Sequence, residues 1–199
     1  MAWIRLCFLL VFTLLLSACA STPTQYLSLR AQGSPLPNQP LVERHRLLIV
    51  DHVQMPASID RLYLTRRSGD NGMEVSGHVR WIAPLGGMTQ RVLTEDLRRR
   101  LSDVTVLLAG SPVPDDAQPT HLRVQVQEFL PTGNGHVLLD ADYFLLNAAG
   151  HVEYAGHFHH RVHADSSATA QAQAMSTCIA ELAQDIARHL PAEYRANSL

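Results

Sequence analysis

The sequence predicts an α/β fold in a single domain, with a mixed β-sheet covered by helices and an antiparallel meander near its C-terminal end. Three observations carry this reading. Leu47-Leu48-Ile49-Val50 is an unbroken apolar run with polar residues on either side, the pattern of a buried strand. After Pro84 the apolar residues recur every three or four positions, the period of a helix face. From Thr120 to His163 alternating segments are separated by turns rich in Gly and Asn, and an alanine-rich helical stripe follows.

Taken in order, residues 1–18 have the parts of an export signal. Arg5 and the terminal amine supply positive charge, Leu6 to Leu16 is apolar, and the small residues Ser17 and Ala18 follow. An apolar core of 11 residues falls short of the roughly 20 that a spanning helix needs, so the segment reads as a signal and not as a permanent membrane helix. Residues 19–25 form a short tether that starts at Cys19, and residues 26–191 form the domain, with a tail at 192–199.

Within the domain, Tyr26-Leu27-Ser28-Leu29 alternates like a brief strand, and the Pro/Gly-rich stretch from Gln32 to Gln39 is a loop. Arg46 to Val53 is the buried strand. Leu62 to Thr65 is another, and after the turn Ser68-Gly69-Asp70-Asn71-Gly72 a short strand from Met73 to Ser76 completes a hairpin. Leu85, Met88, Val92, Leu93, Leu97 and Leu101 share one face of the first main amphipathic helix. Arg98, Arg99 and Arg100 occupy its last turn, where cations meet the negative helix end; a solvated terminus is preferred here over an anion site. Val104 to Leu108 is a strand.

The meander comprises Thr120–Leu130, Val137–Leu146 and His151–His163, with Leu122, Val124 and Val126 on one face and Arg123, Gln125 and Gln127 on the other. The second main amphipathic helix is capped by Ser166 or Ser167 and carries Ala168, Ala172, Met175, Ile179, Leu182, Ile186 and Leu190 on one stripe as far as Pro191. No repeat and no second domain is apparent.

Composition removes several function classes. All 16 basic residues are Arg, so Schiff-base chemistry and a P-loop, which need lysine, are excluded. Without Arg5 the remaining 15 arginines face 18 acidic residues, and there is no basic face for nucleic acid. Of the cysteines, Cys7 lies in the signal and Cys19 at its end. Cys178 alone remains, so no internal disulfide is expected, and its place beside the helix stripe reads as a small apolar residue. There is no Gly-x-Ser-x-Gly elbow, Cys-x-x-Cys pair, phosphate loop or His-Glu-x-x-His helix, and no enzyme is expected.

Two polar sets remain. His157, His159 and His163 share one strand face, and a His-x-His pair can bind zinc, but a closed site needs further ligands. His151, Glu153 or Asp165 are conceivable, yet nothing in the sequence brings them near. The expectation is therefore an exposed polar face with no metal and no cofactor. Asp140 and Asp142 likewise read as a polar outer face, because a glycosidase pair sits across a cleft on separate elements.

Leu16-Ser17-Ala18-Cys19 resembles the lipobox of bacterial lipoproteins. That resemblance implies cleavage before Cys19 and acylation of its thiol, whose thiolate is the nucleophile. Ala20 stands where lipoproteins retained at the inner membrane typically carry Asp, so the implied destination is the periplasmic face of the outer membrane. Three acyl chains would hold the protein there, where a single chain gives only marginal binding.

A wider resemblance covers about residues 26–190. Met55-Pro56-Ala57-Ser58-Ile59-Asp60-Arg61 precedes a short strand and Arg66-Arg67. Arg80-Trp81-Ile82-Ala83-Pro84-Leu85 then leads into the helix with Val92-Leu93 and Asp96-Leu97. This order resembles the ABC-type transport auxiliary lipoproteins, the family of paraquat-inducible protein C (PqiC-like), with Met55 where Leu is usual.

The family implies a three-layer α/β fold with a mixed sheet. It also implies a non-enzymatic role: docking an MCE-domain (mammalian-cell-entry) protein of a system that moves phospholipid or other hydrophobic cargo between membranes. A docking collar for a tubular partner is expected to be a homo-oligomer. Asp60 and Arg61 have two readings, a local pair or cap and a partner contact. Arg80 and Trp81 are further candidates for that contact, although packing at the helix entrance is preferred for Trp81. The alternative function is an assembly factor that helps seat an outer-membrane protein.

Overall fold

The computed structural model describes Trp3, residues 22–34, residues 46–191 and Tyr194. The signal segment, Cys19 and most of the Pro-rich loop lie outside the described residues.

The strands divide between two sheets. A small sheet has the order β1-β4-β3, formed by β1 (Gln25–Leu27), β3 (Tyr63–Ser68) and β4 (Gly72–Trp81). A larger sheet has the order β5-β2-β6-β7-β8, formed by β2 (Leu47–Val50), β5 (Thr105–Leu108), β6 (Thr120–Thr132), β7 (His136–Leu146) and β8 (Val152–His163). Both are mixed: β1 runs parallel to β4 and β3 antiparallel to it, while β2 runs parallel to β5 and β6, and β6, β7 and β8 form the antiparallel meander. The α/β class, the two helices and the meander match the sequence expectation; local periodicity does not reveal which strands share a sheet.

The largest change in an element is β4, which runs ten residues to Trp81 instead of ending near Ser76. Non-local pairing extends it. Val79, Arg80 and Trp81 take Gln25, Tyr26 and Leu27 as partners, and the Trp81 N–H donates to the Leu62 carbonyl at 2.7 Å.

Helix α1 (Leu85–Arg100) buries more than its apolar stripe. Thr89 and Thr94 are also buried, each hydroxyl donating to the carbonyl four residues earlier at 2.8 Å. Gln90 donates its amide N–H to the Val50 carbonyl, tying the helix to β2. Helix α2 (Ala168–His189) starts at Ser167, whose hydroxyl accepts the Ala170 N–H at 3.2 Å. Its stripe of Met175, Cys178, Ile179, Leu182 and Ile186 packs with Leu93 and Leu97 of α1 and with Phe129, Leu139 and Tyr143 of the sheet in one core. Tyr194 is buried too, and its hydroxyl donates to the Leu47 carbonyl at 3.2 Å.

Burial is lopsided across β8. Residues 154, 156, 158, 160 and 162 are half-buried, whereas 153, 155, 157, 159, 161 and 163 are exposed, so one face of this edge strand is left to solvent.

Candidate functional site

The two segments singled out in the sequence meet at the end of the small sheet. Arg80 is the register partner of both Tyr63 on β3 and Tyr26 on β1. Its guanidinium lies 4.5 Å from the centre of the Tyr63 ring and donates to the Tyr63 hydroxyl at 2.8 Å, a cation–π arrangement closed by a hydrogen bond. The Arg80 Nε is buried without a hydrogen-bond partner. Trp81 is 2% exposed, so its indole belongs to the core and its surface is not presented to a partner.

Asp60 and Arg61 lie in the turn that follows Pro56. Arg61 Nε donates to the Ala57 carbonyl at 3.2 Å. Asp60 reaches much further: its carboxylate accepts the Gly86 N–H at 2.8 Å. Helix α1 begins after Pro84, which has no side-chain acceptor to cap it. Asp60, 26 residues upstream, supplies that acceptor and sets a negative charge at the positive helix end.

Around this corner stand apolar side chains that the sequence reading did not single out. Tyr26 is 63% exposed, Leu62 46% and Ile82 63%. The backbone pairing of β1, β4 and the residues before β3 sets them about the end of β4. Strand periodicity flags apolar residues but not which of them stay uncovered, and that is why they were missed.

The last-turn arginines of α1 meet solvent as expected, Arg98 and Arg100 being exposed and Arg99 half-buried, and their guanidinium groups also strap the helix end to its surroundings. Arg98 donates to the Val106 carbonyl at 2.7 Å, Arg99 to the Gly33 carbonyl at 2.7 Å and to Glu95 at 3.0 Å, and Arg100 to the Ala180 carbonyl at 3.1 Å. Each strap joins the helix end to a different neighbour or secures it locally. Cys178 is buried, and burial pushes its thiol up to about 12, so it behaves as a small apolar residue and not as a nucleophile.

The outer face of the meander brings together residues the sequence kept apart. Asp142 stands opposite His157, and Asp140 opposite His159. His157 Nδ1 lies 2.9 Å from Asp142, and that hydrogen bond, with the charge of both carboxylates, raises the imidazole above its usual value. His159 Nδ1 lies 2.8 Å from Asp140. His163 falls outside this group: it is 3.8 Å from Asp165, and its ring meets that of His136 edge-on.

Behind the sheet, Tyr143 is fully buried and donates to Asp185 at 2.7 Å, with His189 Nδ1 3.0 Å from its hydroxyl. Burial and the bond to Asp185 push the phenol far above its usual value. Burial works against the Asp185 charge, but the bonds from Tyr143 and Arg188 outweigh it and hold the carboxyl below its usual range.

The arrangement of sheets and helices has been seen before. An uncharacterized protein of known crystal structure superposes with a TM-score of 0.70 at 19% identity, over 85% of this chain and 100% of that one. A crystallised protein from Xanthomonas campestris superposes with a TM-score of 0.62 at 15% identity, over 81% of this chain and 92% of that one. At such identities the likeness establishes the fold alone. No curated protein matches the chain.

The family is established by the sequence itself. The model of the ABC-type transport auxiliary lipoprotein component matches residues 28–187, and the chain belongs to that family. It is an auxiliary component of a transport system and not an enzyme.

Proposed function

We propose that this protein is an outer-membrane lipoprotein, acylated at Cys19, that docks the MCE-domain protein of an intermembrane lipid transport system and keeps it against the periplasmic face of that membrane. The family match over residues 28–187 carries the reading. The exposure of Tyr26, Leu62 and Ile82 supports it: their backbone segments meet at the end of β4, and apolar side chains left uncovered there favour contact with a partner. The tether supports it as well. Cys19 precedes β1 by six residues, and at about 3.5 Å per fully extended residue the small sheet would stand no more than roughly 20 Å from the lipid. Among the described residues no helix is long and apolar enough to cross a membrane.

The test is co-purification in detergent with a co-expressed MCE-domain protein from the same genome. Wild-type protein retains it, and Ile82→Asp with Leu62→Asp releases it while thermal unfolding stays unchanged. Retention undiminished in the double variant removes the corner from the interface, and absence of any affinity in the wild type removes the docking role. Loss of palmitate labelling in Cys19→Ser checks the anchor separately.

A further inference from the structure

We infer that the outer face of the β7–β8 hairpin is a binding site for a borderline divalent transition ion, Zn²⁺ foremost, with Asp140, His157 and His159 as ligands. The sequence offered imidazoles on one face of β8 but fixed no further ligand near them. The antiparallel register supplies one: Asp140 stands opposite His159 and diagonal to His157, and one ligand atom from each of the three lies within 4.8 Å of the others.

The distances suit a small ion. Ligands arranged tetrahedrally at about 2.0–2.1 Å lie roughly 3.3 Å from one another. Here His159 Nδ1 is 2.8 Å from one Asp140 oxygen, and His157 Nε2 is 4.0 Å from the other. The two values, each to a different carboxylate oxygen, lie on either side of that separation, and all three ligand atoms lie within 4.8 Å of one another, so an ion would draw them together by side-chain rotation. Two imidazoles with one carboxylate select zinc or its neighbours over calcium and magnesium, which prefer all-oxygen sets.

A further pair of contacts has the form found behind metal-bound histidines. His157 turns Nδ1 toward Asp142 at 2.9 Å, which leaves Nε2 on the side of Asp140. Asp142 is held in turn, its second oxygen accepting the Gln127 amide at 2.8 Å. A carboxylate on the far nitrogen sets the tautomer and orients the ring for its ligand. With side chains 59% and 51% exposed at His157 and His159, coordination positions remain open to water, so the affinity should fall below that of a closed structural site.

The experiment is a calorimetric Zn²⁺ titration of the full chain in detergent, prepared without a polyhistidine tag. One ion per chain is expected. His157→Gln and His159→Gln abolish the binding, Asp142→Asn weakens it about tenfold through the misplaced ring, and His163→Gln leaves it unchanged. These side chains are exposed, and circular dichroism should show each variant folded. The proposal is overturned if no saturable heat appears at about 10 µM protein, or if the heat persists in the His157→Gln/His159→Gln double variant. Neither result bears on the docking role, which the co-purification tests independently.

Discussion

The ring of Tyr143 lies directly against Gly156, its cross-strand partner: a Cβ placed at position 156 would come within 2.5 Å of Tyr143 Cζ. The ring has nowhere to retreat. Its hydroxyl is held by Asp185 and lies beside His189, and His189 is stacked on Tyr154 with ring centres 4.7 Å apart. Gly156→Ala is therefore expected to destabilise the protein by about 1–3 kcal/mol, since the added methyl must spread β8 from β7 or displace a fully buried ring. Urea denaturation measures it, and Gly156→Ala should cost less in a Tyr143→Leu background than in the wild type.

Removing only the hydroxyl separates packing from polarity. Tyr143→Phe deletes the bond to Asp185 and should cost about 1 kcal/mol at neutral pH. The pH dependence follows from the sign of the Asp185 shift. Its carboxyl sits below the ordinary value in the folded state, so its stabilisation is present above about pH 4 and is lost as pH falls through the folded value. The variant, deprived of one bond to the charged form, should lose less stability on acidification, and denaturation midpoints across pH 2.5–5 will show a flatter curve (roughly the window set by ordinary carboxyl values).

Asp96 works in the opposite direction. It is buried on α1, with one oxygen accepting the Gln32 N–H at 2.6 Å and the other without a hydrogen-bond partner. Burial raises it to about 6, above its unfolded value of 3.8. Between those values the folded chain holds the proton more tightly than the unfolded one, so this group's contribution declines as pH rises from 4 to 6. Asp96→Asn should be insensitive to that window, and the stability difference between variant and wild type should move in the variant's favour by up to about 3 kcal/mol across it. A parallel shift of both curves would contradict the assignment.

The acceptor at the start of α1 is the easiest to probe. Asp60→Ala should cost about 1 kcal/mol, in the range of other lost helix caps, and Asp60→Asn should keep most of that because its carbonyl still accepts the Gly86 N–H. Arg61→Ala, which loses one bond from an exposed side chain to the Ala57 carbonyl, should stay within about 0.5 kcal/mol. Thermal unfolding of the three variants ranks them.

Much of the fold was legible because it is written locally. The run at Leu47–Val50, the helical period after Pro84 and the alternation through the meander each reflect one residue's relation to neighbours a few positions away. The candidate site was less so. Trp81 and Asp60 stood out as residue types in a pattern, yet whether each packs, caps or faces outward depends on elements distant in the chain. The exposed corner of Tyr26, Leu62 and Ile82 was invisible for the same reason, since hydropathy marks what prefers burial and not what receives it.

On its own, then, the chain's order of residues decides the kinds of element, the family, and the absence of lysine-dependent chemistry. The tertiary structure decides which strands share a sheet and which groups meet across it. Asp140 and Asp142 were plain in the sequence, as were His157 and His159, but their pairing depends on the turn at Asn147–Gly150 and on the register shift beside Leu146. A slip of one residue there would send the imidazoles to the opposite face, because side chains alternate along a strand. Register is a property of two strands held by a common core, and no single stretch of sequence contains it.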